Sequence, residues 1–171
     1  NIIKKLYDKL SEDDPLVFKN SFCLERGAYD IIAVLDENVD KTPYVQKGHL
    51  IDLFNPQLPV LSEKKVYPGE QALLFNIDRV RNQKQPQVLV TGARVSDEKI
   101  RNNSYSFVVK SPINTENIMR VLLPDAPKKC SIKDVFGKKL SGSDWKWDAE
   151  SRTCLLQFEN DPEGIQVELS W

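Results

Sequence analysis

Ile165-Gln166-Val167-Glu168-Leu169-Ser170-Trp171 places an apolar side chain at every second position and a polar one between. That is the period-two signature of a strand with one dry and one wet face. Ser104 to Val109 reads the same way: Tyr105, Phe107 and Val109 face one side, and Ser104, Ser106 and Val108 the other. Between these two stretches lie Met119 to Leu123, Cys130 to Phe136, and the pair Asp144 to Trp147 and Thr153 to Phe158. That pair is joined by Asp148-Ala149-Glu150-Ser151-Arg152, a loop of hairpin length. Upstream, Phe22 to Glu25, Tyr29 to Leu35, His49 to Phe54 and Ala72 to Ile77 also read as strands bounded by turn residues. About ten to twelve short strands at spacings of roughly 8 to 12 residues predict an all-β fold, an antiparallel β-sandwich. No alternation of strand and helix patterns supports a parallel α/β sheet.

The run Tyr29 to Leu35 is apolar on both faces and is expected in the interior of a sheet. Asp36 to Thr42 reads as a polar turn, Pro56 and Pro59 make their stretch irregular, and Tyr67-Pro68-Gly69-Glu70 reads as another turn. Residues 79–87, with Asn82, Gln83, Lys84, Gln85 and Pro86, are the most linker-like segment and divide 15–171 into two possible abutting halves. Ahead of the strands, Ile2, Ile3, Leu6 and Leu10 recur at helical spacing between lysines, and Ser11 to Pro15 stops the pattern. Residues 1–14 are therefore read as a short amphipathic helix or linker, whose stripe docks on the domain or on an upstream neighbour. The first residue is Asn1, so a processed product or an excised fragment is expected.

The 171 residues are 40% apolar and 29% charged, enough for one substantial core or two small ones. No apolar run approaches the roughly 18 residues of a membrane-spanning helix. With 24 basic against 25 acidic residues, the formal charge of −1 offers no global field for nucleic acid or an anionic membrane. Cys23, Cys130 and Cys154 are too far apart for a CxxC motif and sit among apolar residues, so buried, inert thiols are expected.

Little catalytic chemistry is visible. His49 is the only imidazole and has no nucleophile elbow nearby, and no glycine-rich phosphate loop occurs. Asp36, Glu37 and Asp52 flank strands and are formal candidates for a glycosidase pair, but nothing in their spacing singles out two. No catalytic residue and no cofactor is assigned. Asp36-Glu37-Asn38 with Asp40, and Glu159-Asn160-Asp161 with Glu163, carry oxygen ligands of the kind calcium takes, but neither matches an EF-hand loop and solvated turns account for both. Lys128, Lys129, Lys133, Lys138 and Lys139 form the densest basic stretch, which a lysine-protected sheet edge explains.

Trp145 and Trp147 are two apart on one strand and so share a face, as the rings of a sugar-stacking platform do. Tyr105 and Asp148 are candidates for its polar contacts. The alternative is that the tryptophans cover the core opposite Cys154, Leu156 and Phe158.

Phe158-Glu159-Asn160-Asp161-Pro162-Glu163-Gly164-Ile165-Gln166-Val167, preceded by Ser131 to Asp134, Gly137-Lys138 and the hairpin Trp145 to Phe158, resembles the closing strands of C-terminal β-sandwich domains in bacterial glycoside hydrolases. Glu25 to Glu37, His49 to Pro59 and Pro68-Gly69-Glu70 are similar to the segment that follows the catalytic domain in such enzymes. The resemblance implies a non-catalytic accessory module of a secreted or periplasmic polysaccharide-degrading enzyme. Such a module would buttress a catalytic domain encoded upstream, or contact an oligo- or polysaccharide. An autonomous carbohydrate-binding module and, least favoured, a small glycosidase are the other readings. A barrel catalytic domain of about 250 residues would not fit in this chain.

Overall fold

The computed structural model describes residues 2–11, 19–37, 41–82 and 84–171. A nine-residue helix, α1 (Ile2–Leu10), precedes thirteen strands. The first five are β1 (Ser21–Arg26), β2 (Tyr29–Val34), β3 (Tyr44–Asp52), β4 (Val60–Val66) and β5 (Gln71–Asn76). A 3-10 turn, Ile77–Arg79, leads to β6 (Gln87–Thr91), β7 (Arg94–Arg101), β8 (Ser104–Lys110) and β9 (Glu116–Leu122). The chain ends with β10 (Lys129–Asp134), β11 (Asp144–Asp148), β12 (Thr153–Glu159) and β13 (Ile165–Ser170). The all-β expectation holds, and every strand pairing is antiparallel.

Three sheets form: a front sheet β1-β2-β5-β3-β4, a middle sheet β11-β12-β9-β6 and a back sheet β10-β13-β8-β7. The middle and back sheets enclose the largest core, in which Tyr105, Phe107 and Val109 of β8 meet Met119 and Val121 of β9, Cys154, Leu156 and Phe158 of β12 and Ile165, Val167 and Leu169 of β13. Alternation dictates this arrangement, since the other face of each of these strands is polar or packs elsewhere. The middle sheet makes apolar contacts on both faces. Its outer residues Leu89, Ile118, Leu122 and Leu155 pack on Ile51, Phe75 and Ile77 of the front sheet and its following turn. The front sheet also closes a third core on its opposite face, from Ile32, Val34, Leu50, Val66, Ala72 and Leu74.

Arg120 sits in the seam between the front and middle sheets and is buried. Its Nε donates to the Leu58 carbonyl at 2.8 Å and an Nη to Thr153 Oγ1 at 3.0 Å. Burial pushes its guanidinium pKa down, and the charge of Asp148 works the other way. Helix α1 buries none of its residues, and Ile2, Leu6 and Leu10 are all exposed. The proline stop at Pro15 lies outside the described residues, as do residues 38–40 of the Asp36 to Thr42 turn.

Candidate domain-docking surface

The hairpin β1–β2 turns tightly through Gly27 and Ala28, with Gly27 at a φ of +56° that a side chain would resist. Directly opposed residues in an antiparallel pair share a face. Phe22 opposes Ala33, Leu24 opposes Ile31, and Arg26 opposes Tyr29. The next strand continues that face, with Leu73 opposite Ile31 and Phe75 opposite Tyr29. The Tyr29 and Phe75 rings meet edge to face, their centroids 5.3 Å apart.

Phe75 lies under the middle sheet, but the cover ends there. Phe22 is 58% exposed, Tyr29 42%, and Leu24 and Ile31 39% each. One apolar face is thus sealed against the middle sheet at one end and bare at the other. The doubly apolar run Tyr29 to Leu35 is interior in strand order, as its pattern demands, yet Tyr29, Ile31 and Leu35 on one of its faces remain exposed. Covering a side chain of this size contributes about 1.5–3 kcal/mol when burial goes from full exposure to completion.

The opposite face of the hairpin is held by a charge cluster. Asp30 is fully buried, and its carboxylate accepts from Arg79 Nη2 at 2.6 Å, Gln46 Nε2 at 3.0 Å and Asn76 Nδ2 at 3.5 Å. Arg79 also donates to the Gly27 carbonyl at 3.1 Å and pairs with Glu25 at 3.2 Å. It therefore pins the hairpin turn to the 3-10 turn. Next to this cluster, Asp78 Oδ2 accepts the His49 backbone N–H at 3.0 Å, and Oδ1 lies 2.8 Å from His49 Nδ1 and 3.0 Å from Arg81 Nη1. Partial burial works to raise the Asp78 pKa, but the His49 N–H and imidazole, with the charges of His49 and Arg81, outweigh it and hold the carboxyl below its usual range. Gly48 makes this approach possible: a Cβ there would stand 3.0 Å from Asp78 Oδ2. His49 Nε2 is 3.7 Å from Glu150, and Arg152 donates to the Arg81 carbonyl at 2.6 Å, so the cluster ties the front sheet to the β11–β12 loop. No hydroxyl or thiol is bonded to His49 among the described residues, so the arrangement is a clamp and not a hydrolytic triad.

The residues singled out from the sequence lie elsewhere. Trp145 and Trp147 stand on β11, an edge strand, opposite Leu156 and Cys154. Trp147 packs on the main core, whereas Trp145 is 39% exposed. Tyr105 has no accessible surface and its hydroxyl donates to Glu98, so its ring offers a ligand nothing to stack on. Asp148 caps the β11–β12 loop by accepting the Glu150 and Ser151 N–H groups at 3.1 and 3.4 Å. Of the glycosidase candidates, Asp52 is bound by Lys64 at 2.7 Å, and Asp36 and Glu37 lie in a turn. Of the two oxygen-rich turns, Asn38 and Asp40 lie outside the described residues, and in the other Asp161 accepts the Glu163 N–H at 2.8 Å. Among the described residues, no three His, Cys, Asp or Glu side chains group as metal ligands, and no helix is long and apolar enough to cross a membrane.

No family model and no curated protein matches the sequence. Among solved structures, the chain is similar to a GH31 dextranase from Flavobacterium johnsoniae complexed with glucose, with 12% identity and a TM-score of 0.39 over 84% of this chain and 26% of that one. It is also similar to a mutant of that dextranase complexed with isomaltotriose, with 13% identity and a TM-score of 0.38 over 99% of this chain and 28% of that one. The chain spans about a quarter of the length of these enzymes. The likeness is to a part of a glycoside hydrolase and is too loose to transfer any residue role.

Proposed function

We propose that this chain is a non-catalytic accessory β-sandwich of a secreted or periplasmic carbohydrate-active enzyme, and that it packs against that enzyme's catalytic domain through the bare end of the front sheet. The observation that carries the reading is the continuity of one apolar face: Ile51 and Phe75 already serve an interlayer contact, and Phe22, Leu24, Tyr29 and Ile31 extend it into solvent. The rigid charge clamp behind the hairpin presents that surface in one orientation. The resemblance of Glu25 to Glu37 and of the closing strands to modules of glycoside hydrolases names the class of partner.

The test expresses the remaining catalytic part of the gene product separately and measures its association with this chain. Phe22→Asp combined with Ile31→Asp should weaken association at least tenfold, while the unfolding midpoint of the isolated chain stays near its starting value. A gene without a carbohydrate-active catalytic domain, or an association indifferent to both substitutions, overturns the reading.

A finer reading, direct glycan contact, is favoured by the exposure of Trp145. Trp145→Ala should then abolish the change in tryptophan emission on adding oligosaccharide, and unchanged emission of the unsubstituted chain with every glycan removes this reading.

A further inference from the structure

On the outer face of the back sheet, the side chains fall into rows across the strands β10, β13, β8 and β7. One row runs Ser131, Glu168, Ser106, Lys99. The row beside it carries Ser170, Ser104 and Arg101, and on the other side Lys133, Gln166 and Val108 stand in line. Ser104 and Ser106 therefore stand on central β8 beside Gln166 and Glu168 of central β13, while Lys133 stands on one edge strand and Lys99 and Arg101 on the other. The result is a trough of about 330 Å³ with a polar floor of Ser104, Ser106, Gln166 and Glu168, edged by Ser131 and Lys133 on one side and by Lys99 and Arg101, with Asp97, on the other. The edge strands stand three strand spacings apart, about 14 Å.

A second property separates this trough from the other polar clusters. Around Asp30 and around Asp78 the polar groups satisfy one another. In the trough, Lys99, Arg101, Lys133, Gln166, Glu168 and the floor serines form no ion pair or side-chain hydrogen bond with any other described residue, so their donors and acceptors all face solvent. Lysines on an exposed edge strand also deter edge-to-edge pairing. That role does not account for serines at the centre, where the bulkier β-formers would fit a sheet face better.

From this arrangement we infer that the back-sheet trough binds an acidic oligosaccharide, a chain of hydroxyl-bearing rings with spaced carboxylates such as a uronate oligomer. The wall cations pair with the ligand carboxylates, and Ser104, Ser106, Gln166 and the Glu168 carboxylate exchange hydrogen bonds with its hydroxyls. Glu168 on the floor repels a ligand carboxylate and so leaves its own position to a ligand hydroxyl. The trough also lacks the exposed aromatic rings on which nucleobases stack, because the Phe107 ring belongs to the core. The site lies on the layer farthest from the front sheet, so it stands independently of the docking reading.

The test is calorimetric titration of the full chain with a hexauronate, beside a neutral hexasaccharide, a heparin hexasaccharide and a single-stranded thymidine oligomer. The hexauronate should bind, more weakly as salt rises, with amide shifts at Ser104, Ser106 and Glu168. Lys99→Glu with Arg101→Glu should weaken it at least tenfold, and so should Lys133→Glu alone, with unfolding midpoints unchanged. Ser106→Trp, which fills the floor, should do the same without altering charge. Absence of hexauronate binding overturns the proposal. Equal or tighter binding of the neutral sugar, heparin or the oligonucleotide overturns it too, as does full affinity in the charge-reversed variants.

Discussion

Cys154 is sealed between two sheets, and burial pushes its thiol pKa up to about 12, helped by the neighbouring Cys130 and opposed by the charge of Arg120. Burial likewise pushes Cys130 up to about 12. Below the unfolded value near 8.5, the thiols are protonated in both states and their contribution to stability is fully present. As pH rises from there toward 12, the unfolded chain releases protons that the native one keeps, so this stability is progressively lost. Urea midpoints measured from pH 7 to 10.5 should therefore fall, and they should fall less steeply for the Cys130→Ala, Cys154→Ala double variant. Parallel curves for the two proteins would sink this account. That the cysteines belong among apolar neighbours was legible from Thr153-Cys154-Leu155-Leu156. The fate of Tyr105 was not. Alternation groups Tyr105 with Phe107 and Val109, but only the position of β8 beneath the middle sheet decides that this shared face is the inside. Trp145 and Trp147 share a face as their spacing requires, yet their different exposure comes from where the edge strand runs past the core.

At the scale of elements, the strands missing from the sequence reading are β4, β6 and β7, and each is the edge strand of its sheet. Strands β4 and β7 carry charge, as in Ser62-Glu63-Lys64-Lys65 and Asp97-Glu98-Lys99, which erases the apolar alternation, whereas β6 is an uncharged run of only five residues after the linker-like segment. Register irregularities compound the loss in β6 and β7: their pairings with β9 and β8 shift part-way, so an extra residue breaks the period of two. Arg120 was equally illegible, because a lone arginine in Met119-Arg120-Val121 reads as the wet face of a strand. The middle sheet has no wet face at that point, and the Leu58 carbonyl and Thr153 hydroxyl take the place of water. Arg120→Ala opens a cavity in the seam and strands the Leu58 acceptor, which should destabilise the chain by about 2–4 kcal/mol. Arg120→Met keeps the volume and forfeits only the hydrogen bonds, so about 1–2 kcal/mol is expected. Denaturant midpoints of the two variants check this, and equal losses would show that the contribution of Arg120 lies in its hydrogen bonds and not in packing.

Across the whole molecule, protection from solvent is graded through the three layers. Strands β9 and β12 are interior in the middle sheet and have apolar contacts on both faces, from the main core on one side and the front sheet on the other. Strand β1 is an edge strand with Phe22 and Leu24 bare. Local opening costs least where few apolar contacts must be broken. In hydrogen exchange of the isolated chain, amides of β9 and β12 should open only with global unfolding, and those of β1 should exchange through a local opening orders of magnitude more often. A docked catalytic domain would convert the bare face into an interior one, so the same β1 and β2 amides should slow on its addition while those of β9 and β12 stay at the global limit. A hairpin already as protected as β9 in the isolated chain would mean that the face is complete without a partner. The apolar continuity from Ile51 to Phe22 would then be a property of the sheet alone, and the docking role would have no physical basis.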